Sequence, residues 1–435
     1  MNKQKLIRLF SFTLMLATLT LQAEPLPLVP APAEKNLAIT EQQAIALFYQ
    51  RNLDLIAAHF NIDVAAAQEV IAAAIPNPVF SFNISELSPE IFKSSNNSQP
   101  LPGISPALSQ LIETAGKRQL RVESSELATE AVTFDLQDTL RTLTNAVRRD
   151  YYSLLLAQKN LQMAEDNFKR YHEILRVNGI RLKTGDIAET DYTRMEVESL
   201  KAQADQDQAQ ATLKQARATL LLLLGWPENS MDILAVEAWP KATSTITDAK
   251  QEQLVKQALE KRPDLQAARI RIAQAQKMLT LANRLVIPDV TISAYYQRDP
   301  GNYFTDSGGV GISLPLPLFY RQEGEISKAH IGVSSAELAL TQTEQSIRSD
   351  VIKAMAAWKS ADAIAQRFET LVVTRIETLR KEQEFAYENG AIGLLDLIDA
   401  ERSYKAMMLD YYTALANRSN AWADLLMAYG EEVKL

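Results

Sequence analysis

The chain has 435 residues, a formal net charge of −8 and no cysteine. The acidic balance disfavours nucleic acid as a partner, and the lack of cysteine excludes disulfides and a lipid anchor on an N-terminal cysteine. Beyond the first two dozen residues no 18-residue apolar run occurs, so any bilayer crossing must use strands.

Residues 1–23 read as a secretory signal, with Lys3, Lys5 and Arg8 before the apolar Leu9 to Leu19 and a cleavage site after Leu21-Gln22-Ala23. Residues 24–40 form an extended lead-in carrying Pro25, Pro27, Pro30 and Pro32. A first repeat is expected over 41–225. Thr40 and Gln43 cap its opening helix, which runs to about Ile75 and stops at Pro76. A β-hairpin follows over about 78–112. In its first strand Phe80, Phe82 and Ile84 alternate with Ser81, Asn83 and Ser85. The polar stretch 88–102 leads to a second strand, Ile104 to Leu111. A helical hairpin is expected over 117–224. Lys117 to Asn178 lacks proline and glycine, and Leu136, Leu140, Leu143, Val147, Tyr151 and Leu154 keep a 3–4 spacing. A rod of roughly 90 Å results, ended by Gly179 and the Thr184-Gly185-Asp186 turn, with a helix returning from Ile187 to Leu224.

Residues 226–250, with Pro227 and Pro240, form a connector, and 251–435 repeat the module. Arg51-Asn52-Leu53-Asp54-Leu55 returns as Arg262-Pro263-Asp264-Leu265, and Ile75-Pro76-Asn77-Pro78 as Ile287-Pro288-Asp289. Thr184-Gly185-Asp186-Ile187 through Asp191 and Glu196 returns as Asn389-Gly390-Ala391-Ile392 through Asp396 and Glu401, and Leu224-Gly225 as Tyr429-Gly430. The second β-hairpin spans about 289–318. Val290, Ile292, Ala294 and Tyr296 share one face there, and Val310, Ile312, Leu314 and Leu316 follow the loop. The second helical hairpin spans 322–430, turning at Asn389-Gly390.

The fold class is therefore mostly α with a small β part. Long antiparallel helical hairpins occur twice, with four strands per subunit. Strands of about ten residues suit a tilted bilayer crossing, although two soluble hairpins packed on helices fit the same alternation. Four strands cannot close a barrel, and open edges in lipid are prohibitive. A spanning sheet must be shared among subunits, and arithmetic alone leaves two, three or four copies open.

On these features the mature chain resembles the TolC-like outer-membrane factor family of bacterial efflux and secretion systems. Thr114-Ala115-Gly116-Lys117-Arg118 resembles the cobalt–zinc–cadmium resistance branch. The resemblance implies a homotrimer in outer-membrane lipid, with a twelve-stranded barrel and a periplasmic α-barrel tunnel. A periplasmic adaptor and an inner-membrane pump of the RND type feed it, and no cofactor is involved. Leu395-Asp396-Leu397-Ile398-Asp399 resembles the segment whose acids line the closed periplasmic aperture. Asp396 and Asp399 stand at i and i+3 on one helix face, and rings of such carboxylates build cation-selective constrictions. Acids in a first helical turn also simply suit the macrodipole. Asp191 and Tyr387 match family positions that link neighbouring hairpins. Ile392 stands where the family has a latch arginine, leaving Arg194 as the replacement to examine. The turns Thr184, Gly185, Asp186 and Asn389, Gly390, Ala391 resemble the adaptor-docking tips; their glycines also serve as helix caps.

His59, His172 and His330 lie on separate helices in no ligand spacing, Met407-Met408 point apart, and no phosphate loop or hydrolase motif occurs. Enzymatic activity and a bound metal are not expected. The leading expectation is a passive exit duct for heavy-metal cation efflux, gated at its periplasmic end. Ducts for organic efflux or type I protein secretion, and a structural periplasmic coiled-coil protein, are the alternatives.

Overall fold

The computed structural model describes residues 36–85, 103–226, 232–236, 239–240, 249–299 and 305–430. The expected signal segment 1–23, the lead-in to residue 35 and the polar stretch 88–102 lie outside the described residues. The end of the lead-in is ordered as β1 (Asn36–Ile39), which pairs in parallel with β4 (Asp232–Ala235) of the connector.

The helix expected from Thr40 to Ile75 is two helices, α1 (Glu41–Arg51) and α2 (Leu53–Ala73). Thr40 and Gln43 form a reciprocal capping box on α1. Asn52 makes the break. Its extended backbone leaves the helix, and its Oδ1 accepts from Leu55 N at 2.8 Å to cap α2. Its Nδ2 donates to Leu223 O at 2.8 Å. In the second repeat α5 (Ala249–Lys261) gives way to α6 (Pro263–Arg284) at Arg262, whose guanidinium donates to Asp264, Asp350 and Ala428 O. Both repeats thus pin the break in the short helix to the end of the returning helix.

Strands β2 (Val79–Ser85), β3 (Gly103–Ile112), β5 (Val290–Asp299) and β6 (Thr305–Ser313) form one antiparallel sheet in that order. The register sorts the side chains. Phe80, Leu108, Ala294 and Val310 stand directly opposite one another across the four strands. Directly opposite residues share a face, so Phe82, Ile84, Ile292 and Ile312 join them on one apolar face. The other face holds Ser81, Asn83, Ser105, Ser109, Thr291, Ser293, Gly309 and Gly311 with Val79, Leu111 and Tyr295 among them, while Gln110, Arg298 and Asp306 stand toward the ends of the first face. The Tyr295 ring lies across Gly309, where a Cβ would stand 2.6 Å from its hydroxyl.

Each sheet-to-helix step is sharp. Ala115 and Gly116 have φ of 58° and 69°, and Gln322 has 65°. From the first step rises α3 (Lys117–Thr184), 68 residues and about 100 Å long. It runs through Gly179, where the sequence suggests an end. Tyr192 of the returning α4 (Glu189–Leu223) packs against the helix there, 3.5 Å from the Cβ position, an ordinary van der Waals distance. The second rod is interrupted. α7 (Glu323–Arg367) passes through a π-turn, Phe368–Val372, into α8 (Val373–Glu388), and α9 (Leu394–Tyr429) returns. The π-turn presents Glu369 to buried Arg418 of α9 at 3.1 Å.

The largest core sits midway along the rods. Phe48, Leu55, Val147, Tyr151, Leu154, Leu220, Trp226 and Ile233 pack there, joining α1, α2, α3, α4 and the β1–β4 ribbon. Gly225 has φ +67°, and a Cβ there would stand 2.2 Å from Arg51 O, whereas Gly185 (φ +80°) faces open space. An alanine at Gly185 meets only the left-handed backbone penalty, roughly 1–2 kcal/mol. Gly225→Ala adds a backbone collision. Thermal denaturation should therefore show Gly225→Ala clearly more destabilised than Gly185→Ala; equal losses would contradict this packing.

Candidate functional site

The two helical tips are built alike. Gly185 N donates to Leu182 O and Asp186 N to Arg181 O; Gly390 N donates to Tyr387 O and Ala391 N to Ala386 O. These are paired Schellman closures around left-handed glycines. Thr184 Oγ1 donates to Asp186 Oδ2 at 2.6 Å, and Asn389 Nδ2 to Phe385 O at 2.8 Å. All six turn residues are exposed. The closures account for the glycines without any partner, so they explain the shape of the tips and leave docking a separate matter.

Asp396 and Asp399 open α9 and are exposed. Asp396 Oδ2 accepts from Gly393 N at 3.1 Å, so this acid also fastens the helix start. Asp399 is 76% exposed and lies 3.7 Å from Arg402. Asp191 opens α4 and lies 3.8 Å from Arg194 on its own helix. Tyr387 donates from Oη to the buried Asn178 Oδ1 at 2.8 Å, under the Arg181 guanidinium 5.3 Å above its ring. Tyr387 thus ties α8 to α3, between the two hairpins of one chain. Asp191 makes no hydrogen bond to Tyr387 among the described contacts.

Sequence patterns do not single out what lies just above the aspartates. Arg170 of α3 reaches Glu384 of α8 at 3.2 Å and Glu401 of α9 at 3.4 Å. Arg402 grips Glu198 of α4 through two nitrogens, and Lys405 binds Asp205. Tyr171, Met195, Ala202 and Ile398 pack beside these pairs as a small apolar core. Burial pushes the Glu401 carboxyl up from its ordinary value, against the pull of Arg170 and Arg380. The one signal visible in the sequence is the 401, 402 and 405 spacing of charges along α9.

At the other end of α3, the Thr114-Ala115-Gly116-Lys117-Arg118 segment locks rod to sheet. Lys117 is buried and binds Asp289 at 2.8 Å and the Ile287 carbonyl. Thr114 donates to Asp289 from its backbone at 2.8 Å and to Pro288 O from its hydroxyl. Arg121 chelates Glu113. Among the described residues no group of three or more His, Asp or Glu is placed to hold a metal ion; His59, His172 and His330 are exposed on α2, α3 and α7.

An amphipathic, open-edged sheet carried on paired rods of about 100 Å is the build of an outer-membrane channel subunit. The chain belongs to the outer membrane efflux protein family, whose model matches residues 44–226 and 254–431. It is 24% identical over 390 residues to the cobalt-zinc-cadmium resistance protein CzcC of Cupriavidus metallidurans, covering 90% of each chain. It is 24% identical over 388 residues to the pyoverdine export outer membrane protein OpmQ of Pseudomonas putida, covering 83% of this chain and 79% of that one. The Campylobacter jejuni CmeC outer membrane channel superposes with a TM-score of 0.75 at 16% identity, over 92% of this chain and 90% of that one. The protein is thus an outer-membrane efflux channel with a periplasmic helical extension, and not an enzyme.

The junction carries a pH prediction. The Arg121 hydrogen bond holds Glu113 below its usual range. For Asp289, burial acts upward but is outweighed by Lys117 and Thr114, leaving a net depression. Depressed carboxylates stabilise the fold above their unfolded pKa, about 4, and that contribution is lost as pH falls through the folded value. Melting temperature should drop on acidification below about pH 4, and the drop should be smaller in Lys117→Met. Identical acid profiles would contradict the assignment.

Proposed function

We propose that three copies form the exit duct of a tripartite efflux system. The observation that carries this reading is the sheet: one largely apolar face, one face rich in serine, threonine, asparagine and glycine, and two outer strands, β2 and β6, each with one edge unpaired among the described residues. In lipid each unpaired backbone group costs several kcal/mol. Copies joining β6 to β2 remove every edge, and three give twelve strands within the range of outer-membrane barrels. The exposed apolar side of α2, with Phe60, Val64, Val70 and Ile71, gives the helical layer a matching surface for a neighbouring copy. A coiled-coil protein packed in solution would leave that face and the sheet exposed to water.

The duct is passive. Its periplasmic end is narrowed by rings of Asp396 and Asp399, with Asp191 and Tyr387 at the same level. The turns at Thr184, Gly185, Asp186 and at Asn389, Gly390, Ala391 receive a periplasmic adaptor, and an RND-type inner-membrane pump supplies the cargo. Heavy-metal cations are the cargo this reading favours. The likeness to the cobalt-zinc-cadmium resistance protein supports it, as does an aperture of carboxylates, which passes cations more readily than anions. The pyoverdine export relative keeps organic efflux as the second reading.

Planar-bilayer recordings test the aperture. Wild-type channels should conduct weakly and prefer cations, and Asp396→Ala with Asp399→Ala should abolish the preference. Asp399→Ala alone should account for most of that loss, because Asp396 is engaged as a helix cap. Unchanged selectivity in the double variant would place the constriction elsewhere.

A further inference from the structure

The apolar face of the sheet does not stop where the sheet stops. Its positions on β6 are Asp306, Gly308, Val310 and Ile312, so apolar side chains cover only Val310 to Ile312, about 7 Å of strand. On the neighbouring β5 the same face carries Val290, Ile292, Ala294 and Tyr296, about 20 Å. Beyond Ser313 the chain reads Leu314-Pro315-Leu316-Pro317-Leu318-Phe319-Tyr320 and keeps the alternation of β6. Leu314 and Leu316 restore the missing length, and the register that pairs Ser313 with Thr291 sets Leu314 level with Val290. Leu314, Leu316 and Leu318 are exposed, and Phe319 is fully exposed. Exposed Ile75 and Ile287, just before β2 and β5, lie at the same end of the sheet.

The backbone of this segment is equally unusual. Proline has no N–H, so two of the five donors of residues 314–318 are absent, and Leu318 N donates to Leu316 O at 2.8 Å. A segment in water gains nothing by shedding donors, whereas one entering lipid avoids unpaired groups. Tyr320 closes the segment: its hydroxyl donates to Glu325 and accepts from Gly324 N at 3.0 Å, which fastens it to the first turn of α7. Exposed Arg321 follows, and exposed Arg118 and Arg284 stand at the adjoining ends of α3 and α6. Apolar side chains, then aromatic ones, then cations is the order met on leaving a bilayer through its headgroups.

We propose that residues 314–320 form a strap that seats the subunit in the periplasmic leaflet of the outer membrane. Leu314 and Leu316 lie against acyl chains, Phe319 stands at their boundary with the headgroups, and Arg118, Arg284 and Arg321 meet the phosphates. The partner is a glycerophospholipid surface. A second copy is reached along the free edge of β6, in the plane of the sheet, whereas the alternation sets Leu314 and Leu316 out of that plane on the apolar face.

The strap rests on the reading of the sheet as membrane-spanning, and a set of labels separates the two. The chain has no cysteine, so single nitroxides at Val310→Cys, Leu316→Cys, Phe319→Cys and Glu388→Cys each report one site in channels reconstituted into phosphatidylethanolamine–phosphatidylglycerol vesicles. All four positions are exposed, so the labels displace no packing. Collisions with oxygen, which concentrates in lipid, are compared with collisions with a water-soluble nickel chelate. The oxygen-to-nickel ratio should fall in the order 310, 316, 319, 388, with position 319 several-fold above the tip residue Glu388. Frequent nickel collisions at 316 and 319 would place the strap in water, and few collisions of either kind would place it beneath a neighbouring copy. Either result, with position 310 still in lipid, overturns the strap and keeps the spanning sheet. A label at 310 that behaves like the one at 388 takes the sheet out of the bilayer, and the strap with it.

Discussion

Everything in this subunit follows from the four-stranded sheet that cannot stand alone. Its largely apolar face suits lipid, its polar face suits water, and β2 and β6 each present a backbone edge that is unpaired among the described residues. A bilayer offers no hydrogen bonds to such edges. The same chain must therefore supply the missing strands from another copy. The helical layer has the same problem in apolar form, because α2 lines an uncovered surface while its counterpart α6 lies between α3 and α7.

Duplication solves the geometry economically but not symmetrically. Each repeat breaks its short helix at the same place, ties that break to the end of the returning helix, and closes its tip with a left-handed glycine. The departures are where the two halves do different jobs. α3 is unbroken over 68 residues, while its counterpart carries a π-turn whose register brings Glu369 to Arg418. Lys117 locks the first rod to Asp289, but at the second step Gln322 and Glu323 follow an exposed Leu316, Leu318 and Phe319. Among the described residues, the ion pairs that join the hairpins draw their cations from Arg402 and Lys405 of α9 and from Arg149 and Arg170 of α3; none comes from α4.

Periodicity made the rods, the alternating strands and the repeat legible, because each is a local pattern carried by adjacent turns or alternate residues. Local pattern failed where a long-range contact decides. Asn52 looks like an ordinary helical residue until its amide reaches Leu223 O. Gly179 looks like a terminator, yet α3 runs through it, with the Tyr192 ring of α4 packed against that point of the rod. The π-turn has no proline or glycine to announce it. At the tips, the sequence located Asp396, Asp399 and Tyr387 through resemblance, and the structure supplies partners that resemblance did not: Gly393 N, Arg402 and Asn178. The buried pairs joining α9 to α3 and α4 leave only the spacing of 401, 402 and 405 in the sequence, and charges at helical spacing read as a solvated face.

The most direct measurement is the number of copies in the folded particle, by native mass spectrometry of the protein extracted from outer membranes in mild detergent. Shared closure of the sheet predicts three copies that stay together until the barrel unfolds. A stable, fully folded single subunit would mean that the edges of β2 and β6 are satisfied in some other way, and the account of the sheet would fail.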